Sequence, residues 1–253
     1  MDLHKFHVLA FVPLLLCIPL AHGWGIDGHL IICRIAQSRL SRAAADAVSQ
    51  LLPAYASDDL GSVCSWADRV RFRYHWSAPL HYIDTPDRGA HGDCKDADGI
   101  ADRCVAGAIN NYTNQLLTYG NGKSASQYNF TEALLFLSHF IGDIHQVWDS
   151  NIIETAEKRF YDSNVDELID TLQKNITTVW STQAKAWAAC SKTTCPDIYA
   201  SEGIKAACDW AYKGVSEGSI LEDDYFLSRI PVVNLRLAQG GVRLAATLNR
   251  IFG

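Results

Sequence analysis

Apolar residues recur at three- and four-residue steps along most of the chain, which is the spacing of amphipathic helices. One such series covers residues 30–40, after which Ser41 is placed to cap a second helix that Pro53 closes. Another apolar stripe follows Pro231. No alternating run of strand length occurs, and Pro79 to Gly99 is rich in Asp, Gly and Pro, which is typical of a loop. The pattern predicts an all-α protein.

The predicted central helix carries polar residues inside an apolar run. Asn129 and Glu132 have the spacing of a capping box, and residues 133–141 predict a helix that is buried nearly all round. His139 and Asp143 are four residues apart and therefore lie on one face. Imidazole with carboxylate, without thiolate, is the ligand set of catalytic zinc sites.

Other residues extend this set. The candidate metal ligands are Trp24, His29, Asp68, His81, His139, Asp143, His145 and Asp149. Each has an ordinary explanation when taken alone, because a lone histidine is more often a hydrogen-bonded core or surface residue, Asp68 could pair with Arg71, and Tyr82 could belong to the core. Together they favour a zinc site.

The first 23 residues have the features of a secretory signal peptide. A basic residue precedes an almost wholly apolar stretch at positions 8–20, and small residues stand three and one positions before Trp24. This stretch is shorter than the roughly 18 residues of a membrane-spanning helix. We therefore expect cleavage before Trp24, and a single domain over residues 24–253, since no linker divides them. The free amine and carbonyl of Trp24 could then bind one cation together with His29.

Charge and cysteine content narrow the class of protein. The net charge is -6 and no basic stripe indicates a nucleic-acid surface, so an anionic substrate would need a local positive centre such as metal ions. Seven cysteines follow the signal segment, and close spacing favours Cys94 with Cys104 and Cys190 with Cys195 as disulfides. One thiol should be left over. The sequons expected to be glycosylated are Asn111, Asn129 and Asn175.

Several segments resemble a known family. They are Trp24 with Gly28-His29, Trp66-Ala67-Asp68-Arg69-Val70-Arg71, Leu80-His81-Tyr82-Ile83-Asp84-Thr85-Pro86, and the helix that ends in Ser138-His139-Phe140-Ile141-Gly142-Asp143-Ile144-His145-Gln146. They are similar to the secreted zinc-dependent single-strand nucleases of plants and fungi, whose fold is similar to that of bacterial phospholipase C. The resemblance continues through Asp223-Asp224-Tyr225-Phe226 to the C-terminus.

The resemblance implies an all-helical domain with three zinc ions in a cleft. The first ion would be held by Asp68, His81, His139 and Asp143. A second ion would be held by His29 and by the amine and carbonyl of Trp24, with Asp143 bridging the two ions. His145 and Asp149 would be what remains of the third site.

The same resemblance implies roles for further residues. Arg71 would stabilise charge in the transition state beside the catalytic aspartates Asp68 and Asp143. Tyr82 and Asp84 would stack on and hydrogen-bond a nucleobase. It also implies a disulfide between Cys33 and Cys64, and it leaves Cys208 without its usual partner.

The chain departs from the family after Gln146. There the family continues with Pro-Leu-His and a glycine-rich segment before a second helix that opens with His-x-Val-Trp-Asp, whereas Gln146 here runs directly into Val147-Trp148-Asp149. One histidine of the third zinc site is lost with this segment, and His145 could descend from either helix. Because no Gly or Pro follows Asp143 in this stretch, we expect one unbroken helix that turns His145 and Asp149 away from the cleft.

The leading interpretation is a monomeric zinc endonuclease, exported or vacuolar and without a membrane anchor, that acts on single-stranded DNA and RNA and has 3'-nucleotidase activity as a further expectation. A phospholipase C-like zinc phosphodiesterase would share the metal ligands but would not need Tyr82 and Asp84. A catalytically impaired glycoprotein is the third interpretation, favoured by the missing segment. We expect two well-formed zinc sites in this chain.

Overall fold

A computed structural model describes residues 24–83, 94–120, 127–216 and 218–253. Within these residues the chain forms eleven α-helices, and an isolated bridge between Lys95 and Ala101 is the only extended pairing. The prediction of an all-α protein is confirmed. No helix among the described residues is long and apolar enough to cross a membrane.

The bounds of the helices are as follows. The α-helices are α1 (Gly25–Gln37), α2 (Arg42–Leu51), α3 (Leu60–Val63), α4 (Trp66–Val70), α5 (Val105–Leu116), α6 (Phe130–Asp143), α7 (Asn151–Phe160), α8 (Val165–Thr177), α9 (Ser181–Ala188), α10 (Pro196–Ala206) and α11 (Asp223–Phe252). Shorter helical segments are the 3-10 helices Ala54–Ala56 and His75–His81 and the π-helical turn Ala207–Ala211.

Two helix starts follow directly from the local sequence. The hydroxyl of Ser41 accepts a hydrogen bond from the amide of Ala44, and the side chain of Asn129 accepts one from the amide of Glu132. These contacts satisfy amides that have no partner inside the helix. The predicted starts of α2 and α6 are therefore confirmed.

Helix α1 lies at the centre of the core and packs along α11, with α3, α6 and α8 around it. The close approach of α1 to α11 depends on small residues, since a Cβ atom at Gly241 would collide with the side chain of Ile35. Helix α11 begins at Asp223 and contains Pro231, so it starts earlier than the apolar stripe indicates. This packing fixes where α1 presents His29.

The expectation of an unbroken helix as far as Asp149 is wrong, because α6 ends at Asp143. The amides of His145 and Gln146 turn back to the carbonyls of Gly142 and Asp143, which tightens the last turn. Beyond it, residues 146–150 form no helix until α7 begins.

Contacts from distant residues replace the helical hydrogen bonds at this break. The carbonyls of Ile144 and His145 accept hydrogen bonds from Arg236, and the indole of Trp148 donates to the hydroxyl of Tyr225. The helix therefore stops without a glycine or proline.

The described residues form three disulfides, Cys33–Cys64, Cys94–Cys104 and Cys190–Cys195. Cys208 is a free and exposed cysteine. Of the three sequon asparagines, Asn111 and Asn129 are exposed and Asn175 is half-buried. The signal segment, residues 1–23, lies outside the described residues.

Candidate metal centre

Five predicted ligands from separate parts of the chain meet at one point: His29 on α1, Asp68 on α4, His81 at the end of its 3-10 helix, and His139 and Asp143 on α6. Asp143 lies at the centre. Its Oδ2 is 2.9 Å from Nδ1 of His81 and 3.1 Å from Nε2 of His139, and its Oδ1 is 3.3 Å from Nε2 of His29. One carboxylate therefore contacts three imidazoles.

Asp68 closes the cluster on its more open side. Its Oδ1 is 3.7 Å from Nε2 of His139 and 3.8 Å from Nδ1 of His81. Two overlapping groups result, His29 with Asp68 and His139, and His81 with His139 and Asp143, each with ligand atoms within 4.8 Å of one another. His139 belongs to both groups, so the two candidate positions adjoin.

The ring of His139 is oriented by a backbone contact. Its Nδ1 lies 2.8 Å from the carbonyl oxygen of Cys64, and Cys64 is itself joined to Cys33 on α1. A proton on Nδ1 donates to that carbonyl and leaves the lone pair of Nε2 facing the cluster. Metal-binding histidines are commonly fixed through the other ring nitrogen in this way.

Gly142 allows His29 to approach α6, and the sequence analysis did not assign it a role. A Cβ atom at Gly142 would lie 2.6 Å from Nδ1 of His29. A glycine inside a buried helix costs about 1 kcal/mol relative to alanine. A glycine kept at such a position usually marks the close approach of another element to the helix. A close approach at Gly142 could have been inferred from the sequence on this basis.

The electrostatics of the cluster favour a bound cation. Burial would raise the pKa of Asp143, but His139, His29 and His81 together hold that pKa well below its usual range. Burial and the neighbouring His139 lower the pKa of His29. Burial also opposes a charge on His139, yet the carboxylates of Asp143 and Asp68 raise its pKa overall. The carboxylate of Asp143 is therefore ionised, and the histidines around it compete for a single positive charge.

Unsatisfied polar atoms show that zinc fits these residues. Both ring nitrogens of His29 and Nε2 of His81 are buried and form no hydrogen bond within the described chain. Buried polar atoms without a partner are costly. Imidazole nitrogens and carboxylate oxygens are suitable zinc ligands, so a cation would supply the partner for at least one nitrogen of His29.

Trp24 lies beside the same end of α6. Its side chain is fully buried, and its indole Nε1 donates to the carbonyl of Gly142 over 2.9 Å. Its Cβ packs against Gly28, which precedes His29. The structure thus brings Trp24 to the cluster region through its side chain.

A cavity of about 330 Å³ opens beside the cluster, lined in part by His81, Tyr82, Asp143, Ile144 and Cys208. The ring of Tyr82 is half-exposed there. Arg71 follows α4 directly, is half-exposed and pairs with no carboxylate among the described residues. Asp84 lies outside the described residues.

The structure does not bring His145 and Asp149 to the cluster. His145 is fully buried, with Nδ1 2.7 Å from the carbonyl oxygen of Ile141 and Nε2 3.0 Å from the guanidinium of Arg243. Burial and two neighbouring arginines hold its pKa well below the usual range. Asp149 is exposed and accepts a hydrogen bond from the amide of Asn151. The two residues assigned to the remnant of the third site therefore lie apart from the cluster, and no third donor group occurs among the residues with described coordinates.

Comparison with known proteins decides the family. The S1/P1 Nuclease family model matches residues 24–147 and 145–253. The chain belongs to the S1/P1 nuclease family. This S1/P1 nuclease is 58% identical to Endonuclease 2 of Arabidopsis thaliana over 284 aligned positions, which cover 99% of this chain and 98% of that protein. It is 30% identical to Nuclease P1 of Penicillium citrinum, with 91% of this chain and 98% of that protein covered.

The same comparisons locate the missing segment of this S1/P1 nuclease. The two family matches meet at residues 145–147, where Gln146 joins Val147. The alignment to Endonuclease 2 has 284 positions for a chain of 253 residues, so at least 31 positions have no counterpart here. The junction therefore coincides with the break between α6 and α7.

Proposed function

We propose that this S1/P1 nuclease is an exported zinc-dependent endonuclease that hydrolyses phosphodiester bonds in single-stranded DNA and RNA, with 3'-nucleotidase activity on the same site. The observation that carries the proposal is the contact of the Asp143 carboxylate with His29, His81 and His139 in one buried cluster. The names of its relatives, Endonuclease 2 and Nuclease P1, agree with it.

The cluster would hold two zinc ions. Asp68, His81, His139 and Asp143 would bind one ion, and Trp24 and His29 would bind the other, with Asp143 shared. Zinc supplies Lewis acidity, which lowers the pKa of water towards neutrality and neutralises charge on the phosphodiester.

The chain's own residues supply the remaining functions. Cys64 holds His139 in one orientation through its carbonyl. Arg71 lies next to α4 and pairs with no carboxylate among the described residues, so its guanidinium could bind a phosphate oxygen. The half-exposed ring of Tyr82 offers a surface on which a base can stack. These residues favour nucleic acid over phospholipid as the substrate.

We further propose that the chain holds two zinc ions more readily than three and is a weaker nuclease than its full-length relatives. Among the described residues, no histidine other than His29, His81 and His139 joins a donor group, and His145 is engaged by Arg243. Loss of the segment after Gln146 also removes residues that would contact the substrate, and misplacement of a substrate by about 1 Å can cost about 100-fold in rate.

Zinc content and substrate range test the proposal together. The purified chain is expected to carry two zinc ions by elemental analysis and to cleave a single-stranded oligonucleotide slowly, with all cleavage lost after chelation. Hydrolysis of phosphatidylcholine vesicles without cleavage of DNA would instead identify a phospholipase C-like enzyme. Two bound zinc ions with neither activity would identify a catalytically impaired glycoprotein.

Tyr82 provides a sharper test of substrate class. Tyr82→Ala should reduce cleavage of single-stranded DNA by about 5- to 100-fold, because stacking on one base is worth about 1–3 kcal/mol. Tyr82→Phe keeps the ring and is the matched control. Hydrolysis of bis(p-nitrophenyl) phosphate, which has no base, should be unchanged in both variants. An equal loss on both substrates would remove Tyr82 from base binding.

A further inference from the structure

Two arginines of α11 are buried at the end of α6, beneath the metal cluster. The exposed fractions of Arg236 and Arg243 are 2% and 3%. Arg236 donates through Nε to the carbonyl of His145 over 3.1 Å and through Nη2 to the carbonyl of Ile144 over 3.3 Å. Nη1 of Arg243 lies 3.0 Å from Nε2 of His145. The pair therefore contacts both residues that follow Asp143.

The charge of this pair is only partly balanced. Glu202 is the one carboxylate that contacts either arginine among the described residues, and it contacts both, at 2.7 Å from Arg243 and 3.4 Å from Arg236. Its side chain is 39% exposed. Burial and the neighbouring Arg243 lower the pKa of Arg236 to about 9, which reflects the cost of its charge in this position. Buried charges of this kind are weak contributors to stability, so a role in local geometry is the better explanation.

That geometry concerns the peptide groups on both sides of Asp143. The carbonyl of Gly142, just before Asp143, accepts from the indole of Trp24. The carbonyls of Ile144 and His145, just after it, accept from Arg236. Carbonyls at the C-terminal end of a helix have no helical partner and carry partial negative charge, so a cationic donor satisfies them well. The backbone at Asp143 is thereby held by side chains from two other elements.

We propose that Arg236 is a positioning residue for Asp143. It fixes the end of α6 so that both carboxylate oxygens of Asp143 point at the histidines of the cluster, and the side chains of Gln239 and Glu202 hold the guanidinium of Arg236 in place. This inference rests on the proposed metal-dependent function. Substitution of a group that orients a metal ligand without touching the metal typically lowers metal affinity by about 10- to 100-fold.

Arg236→Met tests the inference, with Arg250→Met as the matched control. Arg250 lies on the same helix and likewise donates to two backbone carbonyls, those of Thr193 and Ala188, but these are not on α6. Arg236→Lys keeps the charge and one donor group, and it serves as the second variant if Arg236→Met does not fold.

Three measurements on the full chain separate positioning from general stability. Zinc affinity, measured by competition with a chromogenic chelator, should fall about 10- to 100-fold in Arg236→Met, less in Arg236→Lys, and not in Arg250→Met. Hydrogen exchange in the metal-free protein should be faster over residues 140–146 only in the Arg236 variants. In the zinc-loaded protein, kcat for single-stranded DNA should fall while KM stays unchanged.

Zinc affinity and exchange rates in Arg236→Met equal to those of Arg250→Met would overturn the inference. A wild-type chain that binds zinc but cleaves no nucleic acid would refute the proposed function alone, because the first two measurements do not use activity. A wild-type chain that binds no zinc would overturn both.

Discussion

At the scale of single residues, Asp143 has the greatest influence on the centre. Its carboxylate lies within 2.9 to 3.3 Å of three histidines, His29, His81 and His139. In the proposed assignment Asp143 is also the ligand that two ions share, while His139 belongs to both donor groups. Changes at Asp143 should therefore affect both metal positions, and changes elsewhere mainly one.

Asp143→Asn and Asp149→Asn form a pair that tests this difference. Asparagine keeps the size of the side chain but removes the charge, so Asp143→Asn should lose most bound zinc and reduce cleavage of single-stranded DNA by at least about 100-fold. Asp149 is exposed and contacts no member of the cluster, so Asp149→Asn should retain zinc. Zinc content by elemental analysis is the primary measurement. Equal zinc loss in both variants would place Asp149 in the metal centre.

Gly142→Ala distinguishes close packing from helix propensity. Alanine in a helix is normally about 1 kcal/mol more favourable than glycine. Here the added methyl group would meet the ring of His29 at 2.6 Å, so the ring must move and zinc affinity should fall. Chelator competition and the Tm of the metal-free protein measure the two effects separately. A variant that is more stable and binds zinc as tightly as the wild type would show that His29 has room to adjust.

At the scale of helices, features that depend on neighbouring residues could be predicted, whereas features that depend on residues distant in the sequence could not. The starts of α2 and α6 depend on side chains three residues away, and the sequence analysis found both. The end of α6 depends on Arg236, which is 91 residues from His145, so the predicted helix ran on past Asp143. Five of the eight candidate ligands meet in the structure, and spacing on one helix face together with motif resemblance had pointed to them. The role of Gly142 can be recognised only when the position of α1 is known, and hydrophobic periodicity does not predict how helices are placed relative to one another.

Helix α7 carries a carboxyl group with an unusual proton affinity. Glu157 is buried and its Oε1 has no hydrogen-bond partner among the described residues. Burial, and then the charges of Asp27 and Glu154, raise its pKa to about 7. A pKa above the unfolded value means that this group's contribution to stability is present at low pH and is lost as pH rises towards and through 7.

Glu157→Gln should therefore raise the Tm by a few degrees at pH 8 and change it little at pH 4. Thermal unfolding of the metal-free protein at both pH values measures the effect. Glu167→Gln, an exposed position on α8, is the control and should show no such dependence on pH. A stabilisation of Glu157→Gln that is the same at both pH values would mean that the carboxyl group does not titrate in this range.

At the scale of the whole molecule, the residue expected to begin the processed chain lies beside the candidate metal centre. Trp24 is fully buried beside α6, and it is also the residue at which we expect the signal segment to be removed. Cleavage at that position would link processing of the chain to formation of the centre. A free amine at Trp24 is the expected product.

One extra residue before Trp24 tests this link. A chain with one extra alanine directly before Trp24 should bind zinc more weakly at the position of His29, because the charged terminus is displaced. The chain that begins at Trp24 is the control, with its terminus verified by mass spectrometry. Identical zinc content and cleavage rate in the two chains would exclude the terminal amine as a ligand.

The free thiol of Cys208 has a consequence for how the protein behaves during storage. It is exposed and lines the cavity that also contains His81 and Asp143. Exposed thiols oxidise in air and form disulfides between molecules. A second chain joined through this sulfur would lie next to the cavity, where it would hinder a polymer more than a small ester. An aged sample would then resemble an enzyme that prefers small substrates, and a reducing agent too mild to open the buried Cys33–Cys64 bond would restore its action on long strands.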